Sequence, residues 1–359
     1  MSSIHARLQQ KLDERSQNGN LRVLQVFESG IDFCSNDYLG LSQLELSSKE
    51  IPSNNGGSSR LISGTKQLHL DVELKLAQKF NHESALLFNS GYSANCGLFS
   101  AIGLKDTIFL YDERAHASIK DGIRLSFAKA YSFEHNKLSD LKRLLSKFQH
   151  QLVFVIVESL YSMDGDFAPL KDIAQLTQEF GAELIVDEAH TGGLFSDKGY
   201  CEYISLLTPP FARIFTFGKA YGSHGACVLS SKTVVDYLIN FSRPFIYTTA
   251  LSYRQVLDIE KKVLHLELKT IQLKLQANIS YFREKAKHLN LCSEDHSPIQ
   301  SVIIPTNKAA RAMEKKLQQA GINVKAILSP TVAVGNECIR ISFHSLNTIE
   351  EIDQLINHL

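Results

Sequence analysis

The sequence carries no excess of charge of either sign. Lys plus Arg number 38 and Asp plus Glu number 38, so the net charge is zero at pH 7. Binders of nucleic acid or of anionic membrane draw on a basic surplus, so neither partner is expected. Paired cysteines are also missing. Cys34, Cys96, Cys201, Cys227, Cys292 and Cys338 are scattered without a CxxC, which argues against a zinc site or disulfide frame and for reduced thiols in a cytoplasmic setting. Long apolar runs are absent too. The longest purely aliphatic or aromatic stretch, 152–157, is far too short to span a bilayer and suits a core strand. The polar start, MSSIHARLQQKLDERSQ, does not read as a signal peptide. There is no internal repeat and no low-complexity segment. GxSxG, P-loop, GxGxxG and HExxH patterns are all lacking, so a serine hydrolase elbow, a Walker-type loop, a dinucleotide fingerprint and a zincin site find no support.

What is present reads as α/β. The 359 residues, 44% hydrophobic and 21% charged, suit one large domain with a smaller companion. Folding at this size removes roughly 75% of the extended chain's surface from water, so no covalent staple is required. An amphipathic helix is expected over 5–17. Residues 31–42 read as a strand entering a turn, and 55–65 as a glycine- and serine-rich loop. Strands fit 84–88, 107–111, 152–157, 183–186, 213–216 and 226–229. Helices fit 69–80, 92–102, 115–126, 138–147 and 170–180. Such alternation predicts a mainly parallel sheet covered on both faces. After about 250 the pattern changes to one long helix, 252–289, and then shorter strand and helix signals. We expect an N-terminal segment over 1–45, a large α/β domain over 46–250 and a small α+β domain over 251–359.

In open parallel sheets, ligands sit beyond the carboxyl ends of the strands. Five expected strand ends carry polar residues: Asn89 to Tyr92, Asp112 to His116, Glu158 to Asp166, Asp187 to His190, and Phe217 to Lys219. Lys219 follows a buried strand. A lysine near apolar walls is poorly solvated as ammonium and becomes a better nucleophile toward an aldehyde, though most lysines after strands are solvated surface charges. Asp187 could hold a pyridine nitrogen protonated or merely cap a turn. His190 could bond a ring hydroxyl or be a half-buried structural histidine. Asp187 and His190 lack a third nearby ligand for a metal. Gly91 and Tyr92 open a helix whose free N–H groups attract phosphate, to which Thr216 could donate; each also fits an ordinary strand or turn. His116 could stack on an aromatic ring or stand at the surface, and Ser162 could contact a ligand or form a turn.

Taken together, these blocks resemble the α-oxoamine synthases. The resemblance runs from Ser35-Asn-Asp-Tyr-Leu-Gly-Leu41 to Arg340. Its most specific block is Thr216-Phe-Gly-Lys219 with Gly222-Ser-His-Gly-Ala226, supported by Ser162-Met-Asp-Gly165, Asp187-Glu-Ala-His190 and Asn89-Ser-Gly-Tyr92. The resemblance implies the fold-type I architecture of pyridoxal-phosphate transferases and pyridoxal 5'-phosphate as cofactor. It implies that Lys219 bonds the cofactor, His116 stacks on it and Asp187 faces its pyridine nitrogen. Ser162 and His190 would contact the ring, with Gly91, Tyr92 and Thr216 near ring or phosphate. Thr248 or Thr249 would reach the phosphate of a neighbouring subunit, implying a homodimer with shared sites. Asn36 would lie at the shared site, and Arg340 would hold an amino acid's carboxylate. Thr331 and Arg22 match substrate positions.

The implied reaction joins an amino acid to an acyl-CoA or acyl carrier protein thioester with loss of CO2. Gly222-Ser-His-Gly-Ala226, Phe245-Ile-Tyr-Thr-Thr249 and Ser329-Pro-Thr-Val332 resemble the member that uses L-alanine and a pimeloyl thioester. Ser63-Gly-Thr65 resembles the one that uses glycine and acetyl-CoA. A cofactor-binding protein without turnover is the reading from a different class.

Overall fold

The computed structural model describes residues 4–27, 29–44 and 57–359. The expected boundary at 45/46 and the start of the 55–65 loop lie outside the described residues. The strands, in chain order, are β1 (Ile31–Asp32), β2 (Ser84–Phe88), β3 (Thr107–Asp112), β4 (Lys129–Phe133), β5 (Leu152–Glu158), β6 (Glu183–Asp187), β7 (Ala212–Thr216), β8 (Ala226–Ser230), β9 (Ile299–Ile303), β10 (Ile322–Asn323), β11 (Lys325–Ile327) and β12 (Cys338–Ser342).

The described chain divides into two compact units. One comprises Asp37–Tyr161 and Phe167–Gln272. Its sheet has the order β2-β8-β7-β6-β5-β3-β4, with β8 alone antiparallel to the rest. The aliphatic stretches of β5, β6 and β8 suit strands buried on both faces. Phe109, Ile156, Ile185, Ile214 and Val228 form the core against Leu98, Phe99 and Ile119 of the helices Gly91–Ile102 and Ala117–Arg124. Register aligns the strand ends. Glu158 pairs with Asp187 across β5 and β6, Asp187 with Ile214, and both Thr216 and Phe88 with Ala226. The polar strand ends thereby share one edge.

The other unit comprises Met1–Asn36, Ser162–Asp166 and Leu273–Leu359. Its antiparallel sheet has the order β11-β12-β9, and β1 pairs in parallel with β10. The N-terminal segment therefore packs with the C-terminal part. Phe343 anchors this unit, with ring centroids 5.5 Å from Phe33 and 4.8 Å from Phe282.

Two expectations need correction. Strand β4 is additional to the expected set. Of Lys129-Ala-Tyr-Ser-Phe133 only Phe133 is buried, because β4 is an edge strand and need not be apolar. The single helix expected over 252–289 is instead Tyr253–Ile259, a π-helical segment Glu260–His265, and Lys269–Lys285. Tertiary contacts override the helical periodicity there. Leu268 turns into the core, and Gln272 donates to the Gly193 carbonyl at 2.7 Å. Among the described residues no helix is long and apolar enough to cross a membrane.

Candidate active site

Lys219 lies in a tight turn after β7. Gly222 N–H donates to the Lys219 carbonyl at 2.8 Å, and Ser223 N–H to the Phe217 carbonyl at 2.9 Å. Lys219 Nζ stands 2.9 Å from His190 Nε2. His190 Nδ1 stands 2.8 Å from the Tyr38 hydroxyl. With Lys219 as an ammonium, which can only donate, His190 accepts at Nε2 and turns a protonated Nδ1 toward the Tyr38 hydroxyl. The strand β6 presents His190 through the turn that follows Asp187.

Asp187, at the end of β6, is 5% exposed. Such a carboxylate needs donors. Its Oδ1 accepts from Ala189 N–H and its Oδ2 from Asn95 Nδ2, each at 2.8 Å. Asn95 Nδ2 also donates to Ser118 Oγ at 3.0 Å, and Ser118 Oγ lies 2.7 Å from His116 Nδ1. The Ser118 N–H donates to the same Nδ1, which leaves the proton of a neutral His116 on Nε2. A chain of hydrogen bonds thus runs from Asp187 to His116. His116 is an exposed residue, but the protein beneath its ring lowers its pKa, desolvation first, with Asp187 opposing. Glu158, at the end of β5, accepts the His116 N–H at 2.6 Å. Burial, and next the Asp187 charge, push its pKa up to about 8.

The helix Gly91–Ile102 starts at this same edge. Ser90 caps it by accepting from Ser93 N–H at 3.1 Å. A Cβ added to Gly91 would lie 2.4 Å from Thr216 Oγ1, so only glycine leaves the helix start and the Thr216 hydroxyl so close. Asn89 Nδ2 donates to Thr248 Oγ1 at 3.1 Å and to the Thr249 carbonyl at 2.9 Å. Tyr92 is exposed and its hydroxyl donates to Asp121. Among the expected site residues, the structure gathers Lys219, His190, Asp187, His116, Gly91, Tyr92, Thr216, Thr248 and Thr249 in the seven-stranded unit.

Arg340, Asn36 and Ser162 come together in the other unit. Arg340 is buried on β12. Its Nε donates to the Ser162 carbonyl at 2.7 Å, Nη1 to Ser342 Oγ at 2.8 Å and Nη2 to Asn36 Oδ1 at 2.9 Å. Thr331 and Arg22 are exposed, and near them Asn20 Nδ2 donates to the Ser329 carbonyl at 3.1 Å. Sequence reasoning missed Asn95 and Ser118, gave Tyr38 no role although it stands in the Ser35–Leu41 block, and passed over the bond that Glu158 makes. An asparagine on the apolar face of 92–102 was the available signal for Asn95; nothing near Tyr38 in sequence pointed to His190.

The donor set suits pyridoxal phosphate. It offers an amine, a buried carboxylate for the ring nitrogen, imidazoles for the ring, and a glycine-opened helix start with a hydroxyl for the phosphate. Residues 28–359 match the model of the family described as aminotransferase class I and II. The chain belongs to that family. It is 36% identical to an 8-amino-7-oxononanoate synthase of Emericella nidulans, over 91% of this chain and 88% of the relative. It superposes on the crystal structure of 8-amino-7-oxononanoate synthase from Francisella tularensis with a TM-score of 0.77 at 31% identity, covering 92% and 97% of the two chains. A serine palmitoyltransferase of Sphingomonas wittichii shares the fold, with a TM-score of 0.89 at 24% identity over 99% and 97%. This places the family member in the α-oxoamine synthase branch, as a pyridoxal-phosphate-dependent enzyme of the acyltransferase type.

Proposed function

We propose that this enzyme condenses L-alanine with pimeloyl-CoA, or with pimeloyl carrier protein, to give 8-amino-7-oxononanoate, CO2 and a free thiol in biotin biosynthesis. The observation that carries the chemistry is Lys219, after β7, 2.9 Å from His190, which follows β6 just past its buried end residue Asp187. The names of relatives matched over nearly their whole length support the choice of substrates.

Lys219 would hold the cofactor covalently. Asp187 would face its pyridine nitrogen, His116 would stack on it, and His190 and Ser162 would contact it. Gly91, Tyr92 and Thr216 would meet the ring or phosphate. Bound there, pyridoxal phosphate supplies a cationic ring that takes up negative charge released at the amino acid's α-carbon. Arg340 binds the amino acid's carboxylate, with Asn36 and Ser162 orienting the guanidinium. Thr331 and Arg22 contact substrate. Lys219 Nζ, oriented by His190, takes the α-proton as general base. The Asp187 carboxylate would keep the ring nitrogen protonated, and a protonated ring stabilises the negative charge of the transition state more than it stabilises the ground state, which lowers the barrier rather than only tightening binding. His116 donates from Nε2 to the thioester oxygen as that oxygen becomes negative. The carboxylate held by Arg340 then leaves as CO2. In the assembly we propose, a homodimer in the cytoplasm, Thr248 or Thr249 of each copy reaches the phosphate held by the other.

Thiol release from a matrix of alanine, glycine and serine against pimeloyl, acetyl and palmitoyl thioesters tests this reading. The highest kcat/KM is expected for alanine with pimeloyl thioester, and background rates for Lys219→Ala. Preference for another pair overturns the substrate assignment. A fully active Lys219→Ala protein overturns the chemistry.

A further inference from the structure

Lysine is rarely buried, because its ammonium must keep hydrogen-bond partners. Lys262 is only 5% exposed. It lies in the π-helical segment Glu260–His265, a wide winding that gathers at functional sites. Its Nζ donates to the Gly222 carbonyl at 2.8 Å and lies 3.2 Å from Asp258 Oδ1, one turn back.

Gly222 ends the turn that begins at Lys219, through its 2.8 Å bond to the Lys219 carbonyl. The peptide joining Gly222 to Ser223 is gripped at both ends. Lys262 holds its C=O, and its N–H donates to the Phe217 carbonyl at 2.9 Å. A charged donor on one end of a peptide polarises it and strengthens the bond at the other. The turn also lies hard against its neighbours. Gly222 sits at φ 55°, and a Cβ there would come 2.1 Å from Ser42 N. The Lys219 turn is therefore backed by residues 41–42 and tied by Lys262.

We propose that Lys262 is a positioning residue for Lys219: from the π-helical segment, its ammonium fixes the turn that aims the Lys219 amine. This rests on the reading that Lys219 bonds the cofactor. The test uses the full chain, stripped of pyridoxal phosphate and reloaded. Wild-type protein must first give an absorbance band and a borohydride-trapped adduct on Lys219; if it does not, the cofactor reading fails and the inference with it. Given the wild-type adduct, Lys262→Met is expected to form it about tenfold to a hundredfold more slowly, because a misplaced reactive group costs on that scale. Its absorbance maximum should broaden while its circular dichroism stays native. Asp258→Asn, which leaves the lysine but loosens its partner, should slow adduct formation less, at a nearly unchanged melting temperature. A folded Lys262→Met protein with wild-type adduct kinetics and spectrum overturns the proposal. Should Lys262→Met not fold, Asp258→Asn decides: slower adduct formation supports the proposal and a wild-type rate overturns it.

Discussion

Replacing Asn95 with leucine separates the support of the cofactor site from the support of the fold. Asn95 is 2% exposed and gives its amide N–H groups to Asp187 Oδ2 and Ser118 Oγ at 2.8 and 3.0 Å. Its Oδ1 is buried and has no partner among the described residues. Leucine has nearly the same volume. It forfeits one neutral hydrogen bond, about 1 kcal/mol, and one to a carboxylate, about 1.5–3 kcal/mol, but it relieves an unsatisfied acceptor worth about 1–3 kcal/mol. Stability without cofactor should therefore fall by no more than about 3 kcal/mol. Asp187 keeps its bond from Ala189 N–H but loses the donor that stiffens it. Losing about 1.5–3 kcal/mol on the carboxylate that meets the ring corresponds to roughly tenfold to a hundredfold weaker cofactor binding. The assay is a pair of measurements on Asn95→Leu: urea unfolding of the cofactor-free protein, and a pyridoxal phosphate titration. A stability loss within that bound with much weaker binding is the expected pair. Unaltered cofactor affinity in a folded Asn95→Leu protein would refute the reasoning.

Two other outcomes follow from the same edge of the sheet. Gly91→Ala places a Cβ 2.4 Å from Thr216 Oγ1, an overpacking worth about 1–3 kcal/mol; thermal melts should show the loss, and adding Thr216→Ala should recover most of it. Glu158 is raised from the ordinary 4.5 to about 8 by burial and by Asp187. The folded state thus keeps a proton that the unfolded chain releases, so stability falls as pH rises between those values and levels off above them. Denaturant unfolding of the cofactor-free protein across that window should show the slope, and Glu158→Gln, which retains an acceptor for His116 N–H, should flatten it.

The placing of polar side chains at this sheet edge was readable in the sequence. Lys219, Asp187, His190 and Gly91 all follow aliphatic runs, and in a parallel sheet a run predicts both a buried strand and the edge at which it ends. Edge strand β4 escaped because four of its five residues need not be buried. The break near Leu266 escaped because neither proline nor glycine stands there, and only the inward turn of Leu268 and the reach of Gln272 to Gly193 stop the helix.

Asn95, Tyr38 and Lys262 mark a different boundary. Each looks ordinary within its own window, and each matters through a partner 92, 152 or 40 residues away. Composition, charge balance and short-range periodicity determined the α/β class, the neutral surface and the placing of reactive side chains at strand ends, because backbone geometry and apolar burial act within a few residues. Which tyrosine meets His190, which amide braces Asp187 and which ammonium holds the Lys219 turn were decided by tertiary packing. Hydrogen bonds depend on angles and on tenths of an ångström, and only the assembled sheet and its helices supply that precision.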